Sequence, residues 1–141
     1  MKTVKLRIAL TCDYALTDNS GKISIIGIFD TIHVSNLPAK HAKMYIVLKF
    51  KLEESDRGKN DVIIDLMGED NEVINEIAKA KIDIKQMINS DIDSEANLIV
   101  CLTNFGIKEL GRYSIRIKYQ NKEEYMPILV KKIKRENKNI D

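Results

Sequence analysis

Apolar and polar positions along this chain repeat mostly with a period of two. Leu6, Ile8, Leu10, Cys12 and Tyr14 alternate with Arg7, Thr11 and Asp13, the pattern of a half-buried strand. Thr17 to Gly21 has the composition of a turn. Lys22 to Val34 then reads as one long second strand, with Ile23, Ile25, Gly27 and Phe29 on one side and Ile26, Ile28, Asp30 and Ile32 on the other. Both sides are apolar near its centre, as expected of a strand deep in a sandwich. Gly27 inside it predicts a bulge or a close backbone approach.

Asn36-Leu37-Pro38 breaks the chain. Met44, Ile46, Leu48, Phe50 and Leu52 alternate with Tyr45, Lys49 and Lys51 in the clearest strand of the sequence. Val62, Ile64 and Leu66 predict a shorter strand, and Gly68 to Asn71 a hairpin connection. Val73 to Lys85 fits a helical stripe through Ile74, Ile77, Ala78 and Ile82, and equally a strand interrupted by Glu76. The strand is favoured because its neighbours are strands. Leu98 to Leu102 is a continuous apolar run and reads as a fully buried strand. Tyr113 to Tyr119 alternates again. Tyr125 to Val130 closes the domain, with Pro127 placing it at an edge or a bulge. About eight strands broken by turn signals predict an all-β fold, a single antiparallel β-sandwich over residues 1–131. Residues 132–141 form a basic tail, expected to be flexible.

Composition narrows the classes. The chain has 141 residues, enough for one domain with its own core. Basic and acidic residues number 23 and 21, a near-balance that gives little steering toward nucleic acid. Aromatics are 6% with no Trp, too few for a base-stacking groove. No apolar stretch is long enough for a membrane span or a secretory core. The expectation is a cytoplasmic protein whose two cysteines are reduced.

The first 40 residues carry a specific pattern: Cys12-Asp13-Tyr14-Ala15, then Gly21-Lys22, then Ile25 to Asp30, then Leu37-Pro38. It resembles an uncharacterised family of small bacterial proteins of unknown function. These open with a Cys-Asp-Tyr-Ala strand and a second strand ending in Gly-Ile-Phe-Asp. The likeness runs on through Gly68-Glu69-Asp70 and Gly111-Arg112-Tyr113. The resemblance implies a β-rich single domain and brings no activity, cofactor or functional residue.

Four groups of side chains could carry chemistry. If connections alternate between two ends, the loops holding Asp18, Glu53, Asp56, Asp91 and Asp93 share one end with Glu54, Glu95 and Glu123. A hard cation such as calcium takes six to eight oxygens from such loops. Lysines and arginines in the same loops offset that field, and solvated loop tips are polar in any case. The tail residues Lys131, Lys132, Lys134, Arg135 and Lys138 could neutralise phosphates, or could simply solubilise an end. Cys12, Cys101, His33 and His41 show no close ligand pair, so the cysteines read as small core hydrophobes. Asp13 and Asp30 could form an acid–base pair, though aspartate at a strand end usually caps a turn.

No catalytic constellation, metal cluster or phosphate loop emerges, and no cofactor is expected. The favoured expectation is a non-enzymatic protein-binding or assembly module, with self-association among its options. The alternatives are a cation-dependent ligand or lipid binder acting through the acidic loops, and a hydrolase.

Overall fold

The structure, a computed structural model, describes residues 5–52, 58–84 and 94–134. They form nine strands: β1 (Lys5–Thr17), β2 (Ile23–Phe29), β3 (Thr31–Val34), β4 (Ala39–Leu52), β5 (Gly58–Met67), β6 (Val73–Ile84), β7 (Ser94–Ile107), β8 (Gly111–Tyr119) and β9 (Lys122–Lys132). No helix occurs among the described residues. The strands make a four-stranded sheet ordered β2-β1-β4-β7 and a five-stranded sheet ordered β3-β9-β8-β5-β6.

The main core is filled from both sheets. Met44, Ile46, Leu48 and Phe50 of β4 join Val62 and Ile64 of β5, Ile115 and Ile117 of β8, and Met126 and Ile128 of β9. Each is an alternate residue of its strand, so the period-two pattern chose the inward face. Phe50 is fully buried, and its ring meets Tyr119 edge-on at 5.2 Å.

Val73–Ile84 is a strand, paired with β5 from Met67↔Val73 to Gly58↔Ile84. Its neighbour β5 supplies a ladder of hydrogen bonds that a helical stripe could not use. Two expectations are corrected. First, Lys22 to Val34 is not one strand. The chain leaves the four-stranded sheet at Phe29, turns at Asp30 and joins the other sheet as β3, which raises the count from eight to nine. The Asp30 carbonyl accepts a hydrogen bond from Leu129 N–H at 2.8 Å, which fastens the corner to β9. A corner of one residue leaves no break in the apolar run, so periodicity passes over it. Second, the pairing is not wholly antiparallel, because β3 runs parallel to β9, from Thr31↔Leu129 to Val34↔Lys132.

Gly27 makes the close approach its place in the strand suggests. Its φ is +70°, and a Cβ there would lie 2.3 Å from Asp13 Oδ2. Pro127 sits on a stretch of β9 that pairs with β8 but not with β3, so its missing N–H costs no ladder bond on the open side. At the chain's far end, Ile133 N–H still bonds to the Val34 carbonyl at 2.9 Å.

Candidate functional site

Strand alternation fixes which side chains face away from the core. On β4 the residues between the core positions are Lys43, Tyr45, Val47, Lys49 and Lys51. Register extends this outer face across the sheet. Leu10, Val47 and Ile99 form one row, and Ile28, Cys12, Tyr45 and Cys101 the next. Beyond them Ile26 pairs with Tyr14, and Lys43 with Thr103. Cys12, Tyr45 and Val47 belong to a second apolar cluster, distinct from the main core, with Leu10 and Ile99 packed against it. The rows end in open apolar side chains: Ile26 is 61% exposed and Ile28 66%.

The outside of the five-stranded sheet differs. There Lys118 lies between Ile63 and Glu123, and Arg116 between Asp65 and Tyr125. Arg116 Nη2 meets Asp65 Oδ2 at 2.6 Å, and the Tyr125 hydroxyl donates to Glu123 Oε2 at 2.9 Å. One outer face is thus charged and hydrogen-bonded, and the other is apolar. Monomeric proteins rarely leave a broad contiguous apolar patch in water.

Charge borders the apolar face at both ends. At one end Lys43 Nζ lies 6.0 Å from the Tyr14 ring centre and 5.4 Å from that of Tyr45, and the two rings pack edge-on at 5.4 Å. A hydrogen bond with Tyr45 raises the Lys43 ammonium pKa. At the other end Glu95 receives Lys49 at 2.8 Å and Arg7 at 3.3 Å. The Lys49 hydrogen bond holds the Glu95 carboxyl below its usual range. Burial pushes the Cys12 thiol up, so Cys12 is a protonated filler of the sheet.

A groove of about 560 Å³ opens where β2 and β3 part, and Leu10 and Ile28 of the outer rows are part of its lining. Leu6, Ala9, Phe29 and Met126 line it, with Arg7, Asp30 and Glu124. At its inner end the Tyr119 hydroxyl donates to Glu124 Oε2 at 2.9 Å and accepts Leu6 N–H at 3.3 Å. Burial, then the Glu124 carboxylate, push the Tyr119 phenol up to about 12. Among the described residues, no histidine, cysteine or serine lines the groove.

Among the described residues, the candidates read from sequence are scattered. Asp18 is exposed, and its Oδ1 accepts from Ser20 N–H at 2.8 Å, Ser20 Oγ–H at 2.6 Å and Lys22 N–H at 3.0 Å. These bonds hold its carboxyl low and spend it on the turn. That turn lies beyond Thr17, whereas Leu52 and Ser94 pair with each other at the Lys5 end of the sheet. Asp18 is therefore separated from the connections that follow Leu52 and precede Ser94. The cause is the Asp30 corner, which adds a reversal of direction that simple alternation omits. Glu53, Asp56, Asp91 and Asp93, with Glu54, lie outside the described residues. Among the described residues no three His, Cys, Asp or Glu side chains come together as a metal site.

Asp13 faces Gly27, while Asp30 accepts from Thr31 Oγ at 3.0 Å past the end of β2, so the two are not paired. Cys12 and Cys101 share a row but stand on strands separated by β4. His41 lies beside Phe29, with ring centres 5.7 Å apart, and His33 is exposed on β3. Lys131 and Lys132 belong to β9, and Arg135 and Lys138 lie outside the described residues.

Sequence reasoning named every strand of the apolar face but not the face. Its signal was the apolar runs at Ile25–Phe29 and Leu98–Leu102, which read as strands buried on both sides. Leu98, Ile99, Val100 and Leu102 are only partly buried and Cys101 is exposed, so the run on β7 is not the fully buried strand its continuity suggests.

The fold recurs in solved structures. A β-glucosidase from Listeria innocua in complex with isofagomine superimposes with a TM-score of 0.54 at 10% identity, over 92% of this chain and 16% of that one. The same enzyme in complex with glucose gives a TM-score of 0.53 at 9% identity, with the same coverage. This chain therefore spans about one sixth of the length of those enzymes, and at such identity the likeness is one of fold alone. No curated protein matches the sequence. A family of unknown function, DUF6941, matches residues 7–131. The chain belongs to that family, DUF6941.

Proposed function

We propose that the chain is a non-enzymatic protein-binding module that docks through the outer face of its four-stranded sheet. In this reading the two sheets stack as a sandwich, and a partner supplies a third layer. The observation that carries it is the apolar outer face of β2, β1, β4 and β7, with Ile26 and Ile28 more than half exposed. An antiparallel sheet with one solvated face normally alternates apolar with polar residues, whereas near-continuous apolar runs belong to strands covered on both sides. β2, β4 and β7 carry such runs, and β8 does not.

The test is capture of proteins from extract on the immobilised chain, comparing the native sequence with an Ile26→Asp, Ile28→Asp variant. Equal thermal midpoints would establish that both are folded. The variant is expected to lose the proteins that the native chain retains and that a Lys79→Asp control, altered on the other sheet, also retains. Retention of the same proteins by the Ile26/Ile28 variant would overturn the docking face.

A further inference from the structure

The last strand of an open sheet presents backbone N–H and C=O groups with no neighbour, and proteins guard such edges with short strands, irregular backbone, proline or charge. The outer strands of the two sheets are β2, β7, β3 and β6. β3 has only 4 residues, and β2 has 7, interrupted by Gly27 at a φ of +70°. β6 carries Glu76, Lys79, Lys81 and Asp83, and its register against β5 shifts at Ile64/Asp65 and again at Leu66/Met67. β7 differs from all three. It is 14 residues long and keeps one register against β4 from Leu52↔Ser94 to Ala39↔Ile107. From Ala96 to Thr103 it has no charge, no proline and no glycine, and positive φ comes only after that stretch, at Asn104. Among the described residues β7 pairs with β4 alone. Leu98, Val100 and Leu102 pack against the main core yet stay only partly buried.

We propose that this edge pairs with β7 of a second copy of the chain, antiparallel and centred on Val100, so that two four-stranded sheets become one. The strand itself selects that occupant. A two-fold pairing of antiparallel strands sets one residue opposite itself and every other residue opposite its mirror position. The run Leu98-Ile99-Val100-Cys101-Leu102 is apolar at every step and has Leu at both ends, so it reads alike in either direction. With Val100 opposite its counterpart, Leu98 meets Leu102 on the core side and Ile99 meets Cys101 on the outer side. Just beyond the run, Asn97 meets Thr103. Apolar thus faces apolar and polar faces polar, which is the unit by which paired strands stabilise each other. Leu98, Val100 and Leu102 also gain the lateral neighbours that an end strand lacks. A strand from another protein would satisfy the same backbone groups, but no charge from Ala96 to Thr103 selects one. The pairing does not rest on the docking face, because it uses an edge and leaves that face outside the joint.

The experiment measures the solution mass of the full chain by light scattering and then tests the register with introduced thiols, in a Cys101→Ser background. Val100→Cys sets two thiols directly opposite, with Cα atoms about 5 Å apart. Leu98→Cys sets its two thiols four residues out of line, about 14 Å apart at 3.4 Å per residue. A disulfide does not bridge Cα atoms more than about 7 Å apart. The expected results are a native mass of two chains, a covalent dimer of Val100→Cys under oxidised glutathione, and no such dimer of Leu98→Cys. The Ile26→Asp, Ile28→Asp variant should keep the dimeric mass. A native chain that stays monomeric at high micromolar concentration would overturn the pairing and leave the docking face in place. Equal linking of both cysteine variants would overturn the register centred on Val100. A dimeric mass that the Ile26/Ile28 variant loses, with no link through Val100→Cys, would move self-association to the outer face and overturn the β7 joint.

Discussion

At Gly27 a left-handed backbone and a crowded neighbour coincide. Asp13 can swing its carboxylate aside, but no side-chain movement relieves a positive φ, which costs an ordinary residue about 1–2 kcal/mol. Gly27→Ala is therefore expected to lower unfolding free energy by about that amount in a urea titration, and adding Asp13→Ala should recover little of it. Asp65 is a second such position, almost fully buried beneath Arg116, whose own side chain is 15% exposed. Asp65→Ala strands a guanidinium whose Nε already lacks an acceptor among the described residues. The expected loss is about 3 kcal/mol by denaturant unfolding. Gly27 could be flagged from sequence because a glycine inside an apolar strand is anomalous there. Asp65 could not, because its neighbours in the sequence say nothing about the strand that brings Arg116 to it.

Strands carry their own predictions. Phe50 on β4 has no exposed surface, so Phe50→Ala should cost about 3–5 kcal/mol by the same titration. On β8, the Tyr119 phenol binds its proton more tightly in the folded chain, at about 12, than in the unfolded chain, at about 10. A raised pKa stabilises fully below pH 10, and that contribution is lost as pH climbs toward 12. Thermal midpoints should therefore fall across this window, and Tyr119→Phe should flatten the fall while removing the bonds to Glu124 and Leu6. Most strands were legible because alternation is local and repeats over many residues. β3 was not, since four residues after a one-residue corner continue the apolar pattern of β2. Parallel pairing of β3 with β9 was equally hidden, because it joins residues far apart in the sequence and leaves no local trace.

For the molecule as a whole, the two outer faces explain why the proposed docking face was half-legible. Apolar runs say that a strand is covered on both sides. They do not say whether the second cover comes from the same chain. Here Met44, Ile46, Leu48 and Phe50 of β4 share a core cluster with residues of the five-stranded sheet, while Tyr45 and Val47 belong to a second cluster, and neither cluster can be read from the run itself. At the same scale, a single unseen corner places Asp18 at the opposite end of β1 from Leu52 and Ser94, while the other acidic-loop residues lie outside the described residues. An Asp18→Ala variant should accordingly lose only the stability of its turn, about 1 kcal/mol, with no dependence on added calcium in a thermal scan.

The parallel pairing of β3 with β9 also sets an order of assembly. The four-stranded sheet is complete once Ile107 has been synthesised, while β3 waits for residues 129–132. During translation the strands of the four-stranded sheet therefore precede the residues that close the second sheet. Closing the second sheet is a long-range event, of the kind that slows folding to milliseconds or seconds. A chain halted before Lys122 would hold its docking strands but leave β3 without the strand it pairs with.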